Sequence, residues 1–480
     1  MSDRLSILQI NDSHGYLDLH DEYFWKNGKQ TYREVGGYAR ITSYFNEVRD
    51  ENSDAVIVLD NGDTIHGTYP VVKSEGEVLI PILNRMGFDA WTAHWDFAYG
   101  PDHLVKFAEK LNYPLLAINC YYEDSEELVF DPYKIVKRDG VKMGLIGIAN
   151  TIVDKTMPDR FSEGIYLTLG NEELPKYIEE LRVENNVDLI VVLSHLGYPQ
   201  EVKLAKQVDG IDVLVSGHTH NRLYEPSEVN DTIIIQSGCH GSFIGRLDLD
   251  VDQGKIRGYN HELVEIDESV TPDREVQKMV NEVLEPHEDM LGEVVGETKL
   301  GLARDKVMET RMDNLLLKAL IDASGAEMAF SNGWRYGSPV PPGKITVRDL
   351  WNIIPTNPPV SVCEITGREL WNMMEENLGN TFARDPYNQM GGYVKRCYGV
   401  NVYFKIENAD GLRIQEFFVG DERLDKDKTY KASFVTTQGI PARYGKNRKD
   451  LNINAIKALK GYISKNSPVK PEIEGTIIPI

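Results

Sequence analysis

Short runs of aliphatic and β-branched residues recur through the first half of the chain, and each stops at a polar cluster. Residues 5–10 run into Asn11-Asp12-Ser13-His14-Gly15, and residues 55–59 into Asp60-Asn61-Gly62-Asp63. Residues 189–193 run into Ser194-His195, and residues 213–215 into Ser216-Gly217-His218-Thr219-His220. Runs of this length with turn-forming residues behind them predict buried strands. Between them, residues 36–49 and 171–184 carry helical patterns. Strands alternating with helices imply a layered α/β domain, and such sheets place their sites beyond the strand ends.

The period changes over residues 271–291. Val276, Met279, Val280, Val283 and Leu284 recur there at helical spacing among acidic residues, behind the helix-start signal Thr271-Pro272-Asp273. This predicts a linker helix within 266–295, between a first domain over 1–265 and a second over 296–480. The second is expected to hold helices at 314–324 and 367–378, a proline-rich loop at 339–343, and strands at 400–406 and 414–419, which makes it α/β as well.

Composition narrows the partners. The 480 residues include 52 Lys+Arg against 75 Asp+Glu, a net charge of −23, so a nucleic-acid polymer or an anionic membrane would be repelled overall. A hydrophobic fraction of 41% and a charged fraction of 26% describe an ordinary folded chain. The four cysteines, Cys120, Cys239, Cys363 and Cys397, form no CxxC pair, which excludes a disulfide scaffold and a cysteine-rich zinc module. The N-terminal stretch has no apolar leader region, and the chain has no run near the roughly 20 apolar residues of a membrane span. The expectation is a soluble, cytoplasmic protein, or an extracytoplasmic one if a leader was trimmed.

All 11 histidines lie at or before His287, so imidazole-based metal chemistry belongs to the front of the chain. Asp12 and His14, Asp63, His195, and His218 with His220 each stand behind an expected strand. Residues two apart on extended backbone project to the same side. Aspartate and imidazole donors with a carboxylate able to bridge are what a dinuclear hydrolase needs.

These clusters resemble the motifs of the calcineurin-like metallophosphoesterases, and more closely their 5′-nucleotidase/UDP-sugar hydrolase branch. Gln236-Ser237-Gly238, Gly245-Arg246-Leu247-Asp248-Leu249 and Ser331-Asn332-Gly333-Trp334-Arg335 extend the resemblance over nearly the whole chain. It implies a four-layer β-sandwich flanked by helices, followed by an α/β substrate-binding domain. It also implies two divalent ions, one held by Asp12, His14, Asp63 and His220, the other by Asp63, His195, His218 and a residue of the family's Gly-Asn-His-Glu motif. The matching stretch here is Ala93-His94-Trp95-Asp96. His94 stands where the metal-binding Asn belongs and Trp95 where the transition-state-stabilising His belongs. His94 is read as a ligand, which favours manganese or zinc, with a role as catalytic acid the other reading. Indole cannot donate a proton near neutral pH. Asp96 is taken as a catalytic-site carboxylate that orients a ligand or Trp95, and His66 and His240 are further candidates for the missing proton donor.

The His-Trp variant also resembles the bacterial sulfur-oxidation thiosulfohydrolases, as do Asn332-Gly333-Trp334-Arg335-Tyr336-Gly337 and Asp385 to Arg396. Asn332 is an expected substrate-binding residue, Arg335 and Arg396 are the expected oxyanion contacts, and Tyr393 and Tyr444 the expected stacking rings. The leading expectation is a metal-dependent hydrolase of nucleotides or related small anionic phosphate esters. The alternatives are a hydrolase of S-sulfonates and a non-catalytic metal-dependent binding protein.

Overall fold

The structure, a computed structural model, describes residues 3–480. Met1 and Ser2 lie outside it, and with them part of the stretch on which the expectation of no leader rests. The chain divides into two compact units, the first ending at Pro286 and the second running from His287 to Ile480. Among the described residues no helix is long and apolar enough to cross a membrane.

Two large sheets form the centre of the first unit. One has five strands in the order Lys255–Glu265, Phe243–Asp252, Asp3–Ile10, Val56–Asp60, Ala90–Trp91. The other has six, in the order Ser227–Val229, Thr232–Ile235, Val213–Ser216, Leu189–Ser194, Val141–Ile148, Tyr133–Arg138. Side-chain alternation sorts each strand between two cores. Leu189, Val191 and Leu193 share one cluster with Leu5, Ile7, Ile57 and Leu59 of the facing sheet. Ile190 and Val192 turn the other way, against Leu174, Ile178 and Leu204 from the helical layer. Every residue of Leu189–Ser194 is buried, which is why this strand reads as an unbroken apolar run. Helix Tyr38–Glu51 covers the outer face of the first sheet with Ile41, Phe45 and Val48. The layers are therefore helix, sheet, sheet, helix, as the family resemblance implies. Truncating Leu193 to Ala at the shared core would cost about 2–5 kcal/mol.

The linker expected over 266–295 is built into the first unit as far as Pro286. Helix Arg274–Leu284 starts at Asp273, whose carboxylate accepts the N–H groups of Glu275 and Val276. Its stripe of Val276 and Val280 is fully buried, and the helix packs on Tyr38–Glu51 and Ile80–Met86. An amphipathic helix that finds such a surface does not remain a free connector. A hairpin, His20–Lys26 with Lys29–Val35, also belongs to this unit. Its turn, Asn27 (φ +53°) and Gly28 (φ +72°), has both central residues left-handed, as a type I′ turn requires.

The second unit has a five-stranded sheet, ordered Tyr393–Tyr398, Met328–Gly333, Thr429–Phe434, Pro359–Thr366, Lys446–Asn454, and a four-stranded one containing Val400–Phe404 and Ile414–Val419. Helix Arg311–Ser324 begins three residues before the expected 314, because the Thr310 hydroxyl caps the Asp313 N–H. Helix Gly367–Thr381 starts at the expected position behind a capping box of Thr366 and Glu369.

Candidate metal centre

Parallel register sets the geometry of the first unit's loops. Ile10 pairs with Asp60, Asp60 with Trp91, and Ser194 with Ser216, so the polar clusters behind these strands emerge at matching levels. Backbone bonds tie them: the Asp12 N–H donates to the Gly62 carbonyl at 2.9 Å and the His14 N–H to that of Asp63 at 2.8 Å. The Asn61 amide donates to the carbonyls of Ser194 (3.0 Å) and Val215 (2.7 Å), joining the ends of the two sheets. Gly62 has φ +87°, and a Cβ there would stand 2.6 Å from the Thr92 carbonyl oxygen. Asp12, His14, Asp63, His218 and His220 all have φ between +47° and +68°. Non-glycine residues are uncommon in this region, and their concentration in one place is the mark of a functional site.

The side chains converge in two sets. Asp12, His14, Asp63 and His220 form one, and Asp63, His94, His195 and His218 the other, with the donor atoms of each set within 4.8 Å of one another. Asp63 belongs to both. His94 Nδ1 lies 3.1 Å from Asp63 Oδ1, His195 Nε2 3.5 Å and His14 Nε2 3.7 Å from Asp63 Oδ2, and His220 Nε2 3.0 Å from Asp12 Oδ1. Carbonyl oxygens orient two of the rings. The Nδ1 of His14 faces the His66 carbonyl at 3.1 Å, and that of His195 faces the Asn61 carbonyl, which leaves Nε2 of each toward the carboxylates. The Nε2 atoms of His94 and His195 are buried and hydrogen-bond nothing. Buried polar atoms are almost always satisfied, so orphaned ring nitrogens around shared carboxylates fit a pair of cations.

Electrostatics agree. Burial opposes ionisation of Asp63, but the charges of the adjacent His94 and His195 hold its carboxyl well below the usual range. Asp12 is lowered as well, by His220 and His195 acting against burial. Burial drives His14 down to about 3 despite Asp63, so its imidazole is neutral, as a ligand must be. Burial would lower His195 too, but the Asp63 and Asp12 charges raise it to about 10. Two anions and one retained proton mark a place where positive charge belongs.

Other expected site residues have different roles. Asp96 orients the ligand loops, as a carboxylate expected to orient a ligand would. Its Oδ2 accepts the N–H groups of Asp63 (2.9 Å) and His94 (3.1 Å), and its Oδ1 those of Thr64 (2.9 Å) and Ile65 (3.0 Å). Both oxygens are spent on shaping the ligand loops. The Trp95 N–H donates to Asp63 Oδ1 at 2.6 Å, while its indole stacks on the His66 ring at 4.7 Å. Burial pushes His66 down to about 4, which removes it as a proton donor near neutrality. Local spacing cannot reveal the supporting amides: Gln9, Asn11 and Asn61 act across 52 to 227 positions of sequence.

In the second unit, Arg335 and Tyr393 come together at the end of strand Met328–Gly333. The Arg335 Nη2 donates to the Gly392 carbonyl at 3.0 Å, its guanidinium carbon is 5.2 Å from the Tyr393 ring, and Gly333 pairs with Tyr393. Asn332 precedes them on that strand. Arg396 is not an oxyanion contact. It is 2% exposed, its Nε is 2.9 Å from Asp313 Oδ2, and its Nη atoms donate to the carbonyls of Lys306, Val307 and Met308. A guanidinium with its donors so engaged has no fork left for a ligand. Tyr444 donates its hydroxyl to Glu376 at 2.8 Å and packs on the apolar core of this unit.

Comparison with known proteins places the two units. Residues 5–222 match the calcineurin-like phosphoesterase family and residues 294–438 the 5′-nucleotidase C-terminal domain. The trifunctional nucleotide phosphoesterase protein YfkN of Bacillus subtilis is 25% identical across 98% of this chain, and the chain spans only 35% of that relative's length. Among solved structures, the sulfate thiohydrolase SoxB of Thermus thermophilus has a TM-score of 0.91 at 22% identity, over 99% of this chain and 96% of its own. A 5′-nucleotidase precursor, also from Thermus thermophilus, has a TM-score of 0.87 at 23% identity, over 99% of both chains. At these identities the two structures establish a shared fold.

Proposed function

We propose, from the matches of residues 5–222 to the calcineurin-like phosphoesterases and of residues 294–438 to the 5′-nucleotidase C-terminal domain, that this chain belongs with them and hydrolyses phosphate esters of nucleotides or similar small anions with two manganese or zinc ions. The observation that carries this reading is the shared carboxylate, Asp63, common to two sets built otherwise from aspartate and histidine. Imidazole-rich sets of this kind suit manganese or zinc better than magnesium. Bound there, two such ions supply an activated water and neutralise an anionic phosphoryl group.

The chain's own residues prepare the place. Asp63 is pinned from two directions by the Trp95 N–H and His94 Nδ1, so its carboxylate cannot swing. The carbonyls of His66 and Asn61 orient the rings of His14 and His195, so that Nε2 of each faces the carboxylates. The Trp95 indole is buried against the His66 and Phe161 rings. We assign substrate contacts to Asn332, Arg335 and Tyr393, since a guanidinium matches phosphate oxygens and a phenol ring stacks on a base.

Trp95 also supports a second reading. Indole cannot protonate a leaving group, so esters with acidic leaving groups turn over best. A thiolate leaves with a pKa of about 8.5, and needs far less help than an alkoxide. An S-sulfonate meets that condition: water would add to the sulfonate sulfur, the S–S bond would break with its electron pair leaving on the thiolate, one proton of the water would go to that thiolate and the other to solvent, and sulfate would depart. Metal-loaded protein offered AMP, a UDP-sugar, p-nitrophenyl phosphate and S-sulfocysteine separates the readings. Preference for AMP supports nucleotides, preference for S-sulfocysteine supports the second reading, and no turnover by protein carrying two ions defeats both.

A further inference from the structure

A third group of possible ligands stands beside the two metal sets: His20, Glu22 and His240, with donor atoms within 4.8 Å of one another. Its internal bonding argues against a third ion. Glu22 Oε2 is 3.1 Å from His240 Nδ1, Glu22 Oε1 is 3.1 Å from an Arg222 Nη2, and His20 Nε2 is 3.1 Å from Ser242 Oγ. The Arg222 guanidinium already answers the carboxylate, and a dication beside it would be repelled.

One atom of this network is left over. His240 is 3% exposed, and its Nε2 hydrogen-bonds nothing. A carboxylate only accepts, so the bond to Glu22 requires the proton on Nδ1 and leaves a lone pair on Nε2. The ring centroid is 6.1 Å from those of both His14 and His220, two members of one metal set. Ring pairs among the ligand candidates themselves stand 4.8 to 5.6 Å apart, so His240 sits one step further out. Its backbone belongs to the same construction: the N–H donates to the Asp12 carbonyl at 2.7 Å, and φ is +59°, the conformation of five ligand candidates.

We propose that His240, oriented by Glu22, is a positioning residue for the ion held by Asp12, His14, Asp63 and His220, with its Nε2 accepting from that ion's hydration shell. The proposal rests on the two-ion reading of the site. A carboxylate–imidazole pair reaching toward an ion is a recognised way to tune affinity, typically by about 10–100-fold. Glu22 and His240 are 218 positions apart, so hairpin His20–Lys26 would control a centre it does not itself ligate.

The test is calorimetric titration of Mn²⁺ into metal-free protein. Wild type should take up two ions. His240→Phe, which keeps a ring but no lone pair, and Glu22→Gln should each weaken one site about 10–100-fold and leave the other unchanged. His240→Gln, which restores an acceptor, should weaken it less than His240→Phe. Unchanged affinities in folded His240→Phe overturn the proposal. If that variant does not fold, unchanged affinities in Glu22→Gln do so. Equal loss at both sites together with a lowered Tm also overturns it, in favour of a packing role, and a third ion lost in Glu22→Gln overturns it in favour of a cation site. Wild type binding fewer than two ions defeats the two-ion reading instead.

Discussion

Asp63 in the first unit and Asp313 in the second are equally inaccessible, at 2% and 0% exposure, yet their surroundings differ in kind. Asp313 gives one oxygen to Arg304 Nε and the other to Arg396 Nε, at 2.9 Å each, and the Thr310 hydroxyl donates at 2.7 Å. The guanidiniums continue outward into carbonyls, Arg304 to Tyr336 at 2.8 Å and to Ile353 at 2.7 Å. Asp313 is thus met by two permanent cations supplied by the protein itself, Arg396 Nε as an ion pair without a hydrogen bond. Around Asp63 the neighbours are imidazoles, and Nε2 of His94 and His195 remain unsatisfied. A buried carboxylate neutralised by two guanidiniums is structural, whereas one surrounded by imidazoles leaves positive charge for a ligand to supply.

The comparison is broken most directly at its two centres. Asp63→Ala should remove ions from both sets and lower hydrolysis of p-nitrophenyl phosphate by about 10³-fold or more, read by metal analysis and initial rates. Folding should be little affected. Asp313→Ala should do the reverse. It strands two buried guanidiniums and should destabilise the second unit by about 3–5 kcal/mol in urea unfolding, with metal content unchanged. If Asp63→Ala retained both ions, or Asp313→Ala cost no stability, the distinction between open and closed charge would fail.

Two smaller effects sharpen it. Trp95→His restores a proton donor beside Asp63 and should raise turnover of AMP about 10-fold or more, with less gain on p-nitrophenyl phosphate, whose leaving group needs no proton. A folded, metal-loaded variant with no gain would show that the indole does not stand in the acid's place. Lys395 is the second unit's poorly served charge. It is 5% exposed, and burial pushes its ammonium down to about 8, with the Glu376 charge only partly offsetting. An unfolded lysine holds its proton to about 10.4, so unfolding takes up a proton between those values and stability rises with pH there. The cost is full below about 8 and relieved toward about 10. Thermal melts at pH 7 and pH 9.5 should differ less in Lys395→Met than in wild type.

The legible parts share one property. Asp12, His14, Asp63, His195, His218 and His220 each follow an apolar strand directly, so the local pattern points at them, and the α/β layering follows from the same runs. The hairpin of His20–Lys26 with Lys29–Val35 is not among the expected elements, although Asn27-Gly28 at its turn is a local signature. The partners of Asp96 and Arg396 are illegible for the opposite reason. Both stand inside motif-like stretches, but what they do depends on the groups facing them. For Asp96 these are backbone N–H groups up to 33 positions away, and for Arg396 they are Asp313 and carbonyls up to 90 positions away.

By itself, then, the amino-acid order determined where strands end, which donors emerge there and in what chemical kind, because hydrophobic period and turn chemistry act over a few residues. The tertiary structure alone decided which charges are closed and which are open. Arg396 meets Asp313, and His240 meets Glu22, only once the chain has brought distant segments together. Whether a buried polar atom finds a partner is a property of that three-dimensional encounter, and no spacing along the chain records it.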